Sequence, residues 1–319
     1  MIVGIVREGF EIYNQDLSTV IQLPNGWANA SQLEELLRSG PSPHLSPPGE
    51  IRFRFPSACH LMTDAIVRLL SLFNQLDHST RRLILDFESQ DSELLGYLNR
   101  IGFFDHLSAQ VEVLPARPEV SGAMLHRGKN RGVVEIARIN KNVRDQNLPY
   151  RLTRAVESAC SNREDISELS GAAWTIFAEL IGNVFDHSDT PIDGFAALQV
   201  YKKGNCLKVA VSDSGRGLLD TLRPTLKTEH PKLAGLSDME LLVEVFRQGI
   251  SRHGSNRGCG LKGSAEKAIK FRAELDVRLP LVRVLLVPGK QGYAPNTAFC
   301  YRNLPLIWGT HLCFTFELD

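Results

Sequence analysis

AWTIFAELIGNVFDHSDT, residues 173–190, is the stretch whose reading decides this chain. Ala173, Phe177, Leu180, Ile181 and Val184 recur at helical spacing and make one apolar face. Glu179, Asn183 and His187 stand at i, i+4 and i+8. A helix sets them in one stripe, turned away from that face. A solvated polar face has the same spacing. The residue types distinguish this stripe: a carboxylate that can polarise a water or a hydroxyl, an amide whose oxygen can ligate magnesium, and an imidazole.

Downstream, CLKVAVSDSGRGLLD (206–220) reads as a strand running into Asp213-Ser-Gly-Arg-Gly217. A carboxylate at a strand end, beside a loop with little side-chain bulk, can accept a hydrogen bond from an exocyclic amine. Gly215 and Gly217 let a flat ring approach the backbone. A plain Asp-Gly turn is the alternative. GCGLKG (258–263) matches the dinucleotide fingerprint G-x-G-x-x-G letter for letter. What precedes it, GISRHGSNR, is polar and basic, not the buried strand that fingerprint requires. Glycines leading into the helical KGSAEKAIKF make an anion site instead, because free N–H groups and the helix dipole favour phosphate. WGTHLCFTFEL (308–318) is an alternating strand led in by Gly309-Thr310.

The N-terminal part has a different rhythm. IRFRF (51–55), MTDAIVRLLSLFNQL (62–76), RRLILDF (81–87), SELLGYLNRIGFFDHL (92–107) and VEVL (111–114) alternate strand and helix, which predicts a small α/β domain over 1–114. Residues 115–150 read as a connector with a strand, GVVEIARI (132–139), inside it. A second domain is expected over 151–319. The expected class is α+β. LPLVRVLLVPGKQGYAPNTAFCYRNLP (279–305) reads as an insertion that covers the sheet or binds a partner.

Composition narrows the function classes. With 36 basic and 36 acidic residues in 319, the chain has no basic footprint, so nucleic acid is not an expected partner. No apolar run approaches the ~20 residues of a membrane helix, and charge comes too early for a signal peptide. Six scattered cysteines without C-x-x-C fit reduced thiols in a cytoplasmic protein.

ELIGNVFDH, DSGRG, GCGL and the late Gly309-Thr310, in that order, resemble the GHKL superfamily of gyrase, Hsp90, the histidine kinases and MutL, over about 150–319. The E-x-x-x-N-x-x-x-H detail is most similar to the anti-sigma-factor serine kinases. The resemblance implies a Bergerat-type sandwich, a mixed sheet covered by helices on one face, that binds ATP with Mg2+. It implies Glu179 as base or water-orienting residue and Asn183 as metal ligand, with His187 near the phosphates or the lid hinge. Asp213 would hold the adenine amine, with Gly215 and Gly217 under the ring. Gly258, Gly260 and Leu261 would line the triphosphate, and Thr310 would close the adenine pocket. Residues 218–257 would form a lid, near which Arg252, His253, Asn256, Arg257 and Lys262 offer phosphate contacts. No P-loop sequence competes. The helix before the first motif, YRLTRAVESACSN, carries no phosphoacceptor histidine, which sets the chain apart from sensor kinases.

The N-terminal part loosely resembles the STAS domains of anti-sigma-factor antagonists, through LILDFES and Asp91-Ser92 at a helix start. Ser92 reads equally as a helix N-cap. The resulting expectation is a regulatory protein that hydrolyses ATP or transfers its γ-phosphate to a partner, such as a STAS-like protein. The alternative is an ATP-driven dimerising clamp or switch, in which a homodimer has a place.

Overall fold

The computed structural model describes residues 18–46, 49–140, 142–250, 259–290 and 292–319. The first part runs β1 (Thr19–Gln22), β2 (Gly26–Ala28), α1 (Ala30–Arg38), β3 (Glu50–Phe55), β4 (Cys59–Leu61), α2 (Thr63–His78), β5 (Arg82–Phe87), α3 (Glu93–Arg100), α4 (Phe103–His106), β6 (Glu112–Leu114) and α5 (Gly122–His126). Its main sheet is parallel, in the order β1-β3-β5-β6. Strands laid down in sequence order by right-handed crossovers keep their helices on one face. The inward residues Ile51, Phe53, Phe55, Leu83, Leu85 and Phe87 are buried there. The other face carries a lattice of ion pairs, with Arg52 bonded to Glu50 and Asp86, and Arg82 to Glu112. This explains why IRFRF alternates, although most parallel strands are apolar on both sides.

The second part runs β7 (Val133–Ile139), α6 (Leu148–Ala159), α7 (Ile166–His187), β8 (Gly194–Tyr201), β9 (Cys206–Ser212), α8 (Leu218–Glu229), α9 (Pro231–Ala234), α10 (Asp238–Gln248), α11 (Cys259–Lys270), β10 (Glu274–Leu279), β11 (Val282–Gly289), β12 (Gly292–Pro295) and β13 (His311–Glu317). These strands form a seven-stranded sheet, β12-β11-β10-β13-β9-β8-β7. The fold is therefore mixed α+β, with a four-stranded parallel sheet, a two-stranded parallel pair of β2 and β4, and one antiparallel sheet. The large sheet is antiparallel throughout, where a mixed sheet was expected. Hairpins join β8 to β9, β10 to β11 and β11 to β12, α6 and α7 lie between β7 and β8, and β13 returns to lie between β10 and β9. Strand β7, from the expected connector, is its edge strand. Residues 282–295, from the expected insertion, extend the opposite edge as a hairpin and do not cover a face.

One face of the large sheet is apolar. Leu207, Val209, Val211, Leu275, Val277, Val284, Phe314 and Phe316 point into a core shared with α6, α7, α8, α10 and α11. The stretch 218–248, expected as lid, belongs to that core through Leu219, Leu222, Leu226, Leu241, Leu242, Val245 and Phe246. The remaining lid residues, 251–257, lie outside the described residues, with Arg252, His253, Asn256 and Arg257 among them.

The sheet's other face is also covered, where helices on one face alone were expected. Helix α2 is buried along nearly its whole length between the two sheets. Its polar residues Asp64, Arg68, Ser71 and Gln75 recur at helical spacing and meet the large sheet one by one. Asp64 pairs with Lys208 at 3.1 Å, Arg68 with Asp276 at 3.4 Å, and Ser71 with Ser212 at 2.8 Å. Glu34 of α1 bridges Arg68 (2.7 Å) and Arg278 (2.9 Å), and Asp276 also pairs with Arg283. Burial opposes ionisation of Asp276, but Arg283 and Arg68 outweigh it and hold the carboxyl below its usual range.

No described helix is long and apolar enough to cross a membrane. The described cysteines are free thiols.

Candidate functional site

Helix α7 forms because its apolar face has a core to meet. Ala173, Phe177, Leu180, Ile181 and Val184 are all buried against the sheet and α11. That fixes the rotation of the helix and leaves Glu179 and Asn183 half-buried on one side. The Asn183 amide donates to Glu179 Oε1 at 3.2 Å. The His187 side chain lies outside the described residues, as does Gly258.

The stripe meets the first turn of α11. The Glu179 carboxylate lies so close to Gly260 that a Cβ there would collide with it. Only glycine lets a helix start this near a carboxylate, which gives the second motif's glycine a physical reason. The carboxylate occupies the end of α11 where free N–H groups and the dipole favour an anion. Leu261 packs on the core beside it. Lys262 is half-buried and pairs loosely, at 3.9 Å, with Glu266 one turn on.

Asp213 follows the last residue of β9. Its Oδ1 accepts from Gly215 N–H at 2.7 Å and its Oδ2 from Thr310 N–H at 3.3 Å. Its own N–H donates to the Thr310 carbonyl at 3.0 Å, which closes the β9–β13 ladder. No cation pairs with it among the described residues. Burial pushes its carboxyl up to about 6, against the hydrogen bonds from Gly215 and Thr310, which pull it down. The Thr310 hydroxyl accepts from Leu218 N–H at 2.9 Å and so caps α8, which starts after Gly217.

The two groups are joined at the end of α7. Gly215 lies backbone to backbone against Ser188, the C-cap of that helix, and a side chain at 215 would strike its carbonyl. Glu179, Asn183 and Gly260 thus lie along one flank of α7. Asp213, Gly215 and Thr310 gather at its C-terminal end.

Metal chemistry has a limited donor set here. Among the described residues no cluster of three or more His, Cys, Asp or Glu stands together. Asn183 and Glu179 offer an amide oxygen and a carboxylate. That pair suits a magnesium ion held mainly by phosphate oxygens and water, not an all-protein cage.

Several participants carry no signal in the sequence. Ser188 serves through its backbone. Gln75, on α2, bonds to Ser214 and Trp308 beside the Asp213 turn, across more than 130 residues of chain. Ser92 does stand at the N-cap position of α3, but its hydroxyl is buried and makes no cap bond.

No protein-family model matches this chain, and no curated protein matches it.

Proposed function

We propose that this chain is a Mg-ATP-binding regulatory protein of the GHKL type, with a Bergerat-like C-terminal half. The observation that carries the reading is Asp213. A half-buried carboxylate whose pKa is raised by desolvation, with no cation beside it among the described residues, costs stability near neutral pH, so a ligand is the reason to keep it. Its two oxygens accept two N–H bonds and retain lone pairs for the exocyclic amine of adenine. The resemblance sets Gly215 and Gly217 under a flat ring. The space a side chain would take is filled by the Ser188 backbone at Gly215 and by Pro280 at Gly217, so the ring in this reading lies on another side of Asp213, beside Thr310. Glu179, Asn183 and the start of α11 then face the phosphates, with Leu261 and Lys262 along them; Gly258, which the resemblance sets there too, lies outside the described residues. The cofactors of this reading are ATP and Mg2+.

The chemistry is transfer of the γ-phosphoryl group. The oxygen of water, or of a partner's hydroxyl, bonds to the γ-phosphorus as the bond to the β,γ-bridging oxygen breaks. ADP leaves with the electron pair, and Glu179 takes the nucleophile's proton. Asn183 would hold part of a magnesium ion's coordination, and the ion would supply charge neutralisation on the phosphates. A STAS-like protein is the partner class implied for phosphotransfer. A second reading, an ATP-driven switch or clamp, is favoured by α2, which joins the N-terminal part to both sides of the Asp213 turn.

A time course with γ-labelled ATP, together with equilibrium binding, tests the proposal. Asp213→Asn is expected to abolish Mg-ATP binding. Glu179→Ala is expected to keep binding and lose turnover. Retained binding in Asp213→Asn sinks the nucleotide pose. Label on a second protein selects phosphotransfer, and free phosphate alone selects the switch.

A further inference from the structure

We propose that Gln75, contributed by the N-terminal part, is a positioning residue that sets the spacing between Asp213 and Thr310. The inference rests on the Mg-ATP reading of that pair. Strands β9 and β13 pair up to Ser212 and His311, and the bond from Asp213 N–H to the Thr310 carbonyl is the last rung between them. Beyond it Gly309 still packs on the Asp213 backbone, but no backbone hydrogen bond joins residue 214 to residue 308. Gln75 spans that gap with a single planar amide. Its Nε2 donates to Ser214 Oγ at 2.9 Å and to the Trp308 carbonyl at 3.0 Å, and its Oε1 accepts from Trp308 N–H at 2.8 Å. It is an added rung, supplied by another element.

The surroundings hold this amide in place. Gln75 is fully buried. His44 stacks on the Trp308 ring at 4.9 Å, with its Nε2 3.3 Å from Gln75 Oε1. One turn back on α2, Ser71 bonds Ser212. Both residues that flank Asp213 are therefore gripped by one rigid helix. A side-chain amide using both donors and its acceptor is difficult to replace, because any apolar residue strands three buried groups. Recognition by Asp213 needs its carboxylate held to within a fraction of an ångström of Thr310, and supporting bonds of this kind supply that. The N-terminal part thereby becomes a component of the nucleotide site, without touching the ligand.

The test compares Gln75→Leu with Tyr201→Phe in the full chain. Tyr201 bonds Thr63 at the opposite end of α2, so its loss loosens the same seam away from the site. Two readouts are taken. The first is hydrogen exchange at the Gly215 and Thr310 amides without nucleotide. The second is Mg-ATP affinity and turnover. In Gln75→Leu, exchange at both amides is expected to quicken by about tenfold or more, and ATP to bind roughly tenfold more weakly. Turnover at saturating ATP stays within about twofold, because Glu179 and Asn183 stand on α7 and are not clamped by Gln75. Tyr201→Phe leaves both amides and ATP affinity as they were. Ser214→Ala removes one of the three bonds, moves both readouts the same way by less, and serves if Gln75→Leu does not fold. Unchanged exchange, or an equal change in Tyr201→Phe, overturns the proposal. If the wild type binds no Mg-ATP while exchange still responds to Gln75, the nucleotide reading falls and the clamp stands.

Discussion

The two faces of the seven-stranded sheet are built from the same strands by opposite physics. Toward α7 and α11, alternate residues such as Val209, Val277 and Phe314 are apolar, and that face is closed by burial alone. Toward α2, the residues between them include Lys208, Ser212, Asp276, Arg278, Arg283 and His311, all but Lys208 buried, set beside the apolar Phe195, Ala197, Ala210 and Cys313. An apolar face accepts many packings of similar volume, whereas a charged one accepts only the partner that supplies each counter-charge. The first face makes the sheet stable and carries the α7 stripe. The second fixes where the N-terminal part sits and delivers Gln75 to the Asp213 turn.

The sharpest way to break this comparison is to remove one counter-charge. Glu34 holds both Arg68 and Arg278, and all three are buried. Glu34→Ala is expected to cost about 3–5 kcal/mol in urea unfolding, because two guanidinium groups lose their shared carboxylate. A loss under about 1 kcal/mol, the range of exposed pairs, would mean the charged face is not closed as described.

The next effect concerns Asp213 and is read against pH. Its folded pKa, about 6, is raised from 3.8. Its stabilising contribution is therefore full below about pH 3.8 and is lost as pH rises through 6. By linkage the loss is about 3 kcal/mol. His311 acts the other way: burial, then Arg68 and Arg278, hold it well below 6.5. Its contribution is present above pH 6.5 and lost as pH falls. Comparing wild type with Asp213→Asn cancels that effect. The stability difference should move in favour of the Asn variant between pH 4 and 7, while the same variant loses ATP. A flat difference would remove the argument that Asp213 is kept at a cost to stability.

The smallest effect sharpens the seam itself. Tyr201→Phe removes the hydroxyl that meets both Thr63 N–H and Thr63 Oγ1, at 2.8 and 3.0 Å. About 1 kcal/mol of stability should go with it, with no change at the Asp213 turn. A shift in ATP affinity as large as that of Gln75→Leu would show that any loosening of the seam has this effect, and would overturn the special role of Gln75.

Two polar stripes show what can be read from the chain. Glu179 and Asn183 on α7, and Asp64, Arg68, Ser71 and Gln75 on α2, have the same helical spacing. The first is legible because carboxylate and amide beside a glycine-led helix suggest chemistry. The second reads as part of an ordinary amphipathic helix, since nothing local distinguishes a solvated arginine from a buried one. The strand that ends in Asp213 and the Gly309-Thr310 lead-in were likewise legible, as local patterns of alternation and turn chemistry.

By itself, then, the sequence determined local matters: the apolar face of α7, the Asp-Gly turn after β9, the glycine at the start of α11 and the β-α rhythm of the first part. Periodicity and turn chemistry act within a few residues, so they can be read one stretch at a time. Only the tertiary structure decided that β13 inserts between β9 and β10, that the charged face is buried, and that α2 grips the Asp213 turn. Those facts are pairings between residues far apart in the chain. A charge or an amide declares its need for a partner but does not name it.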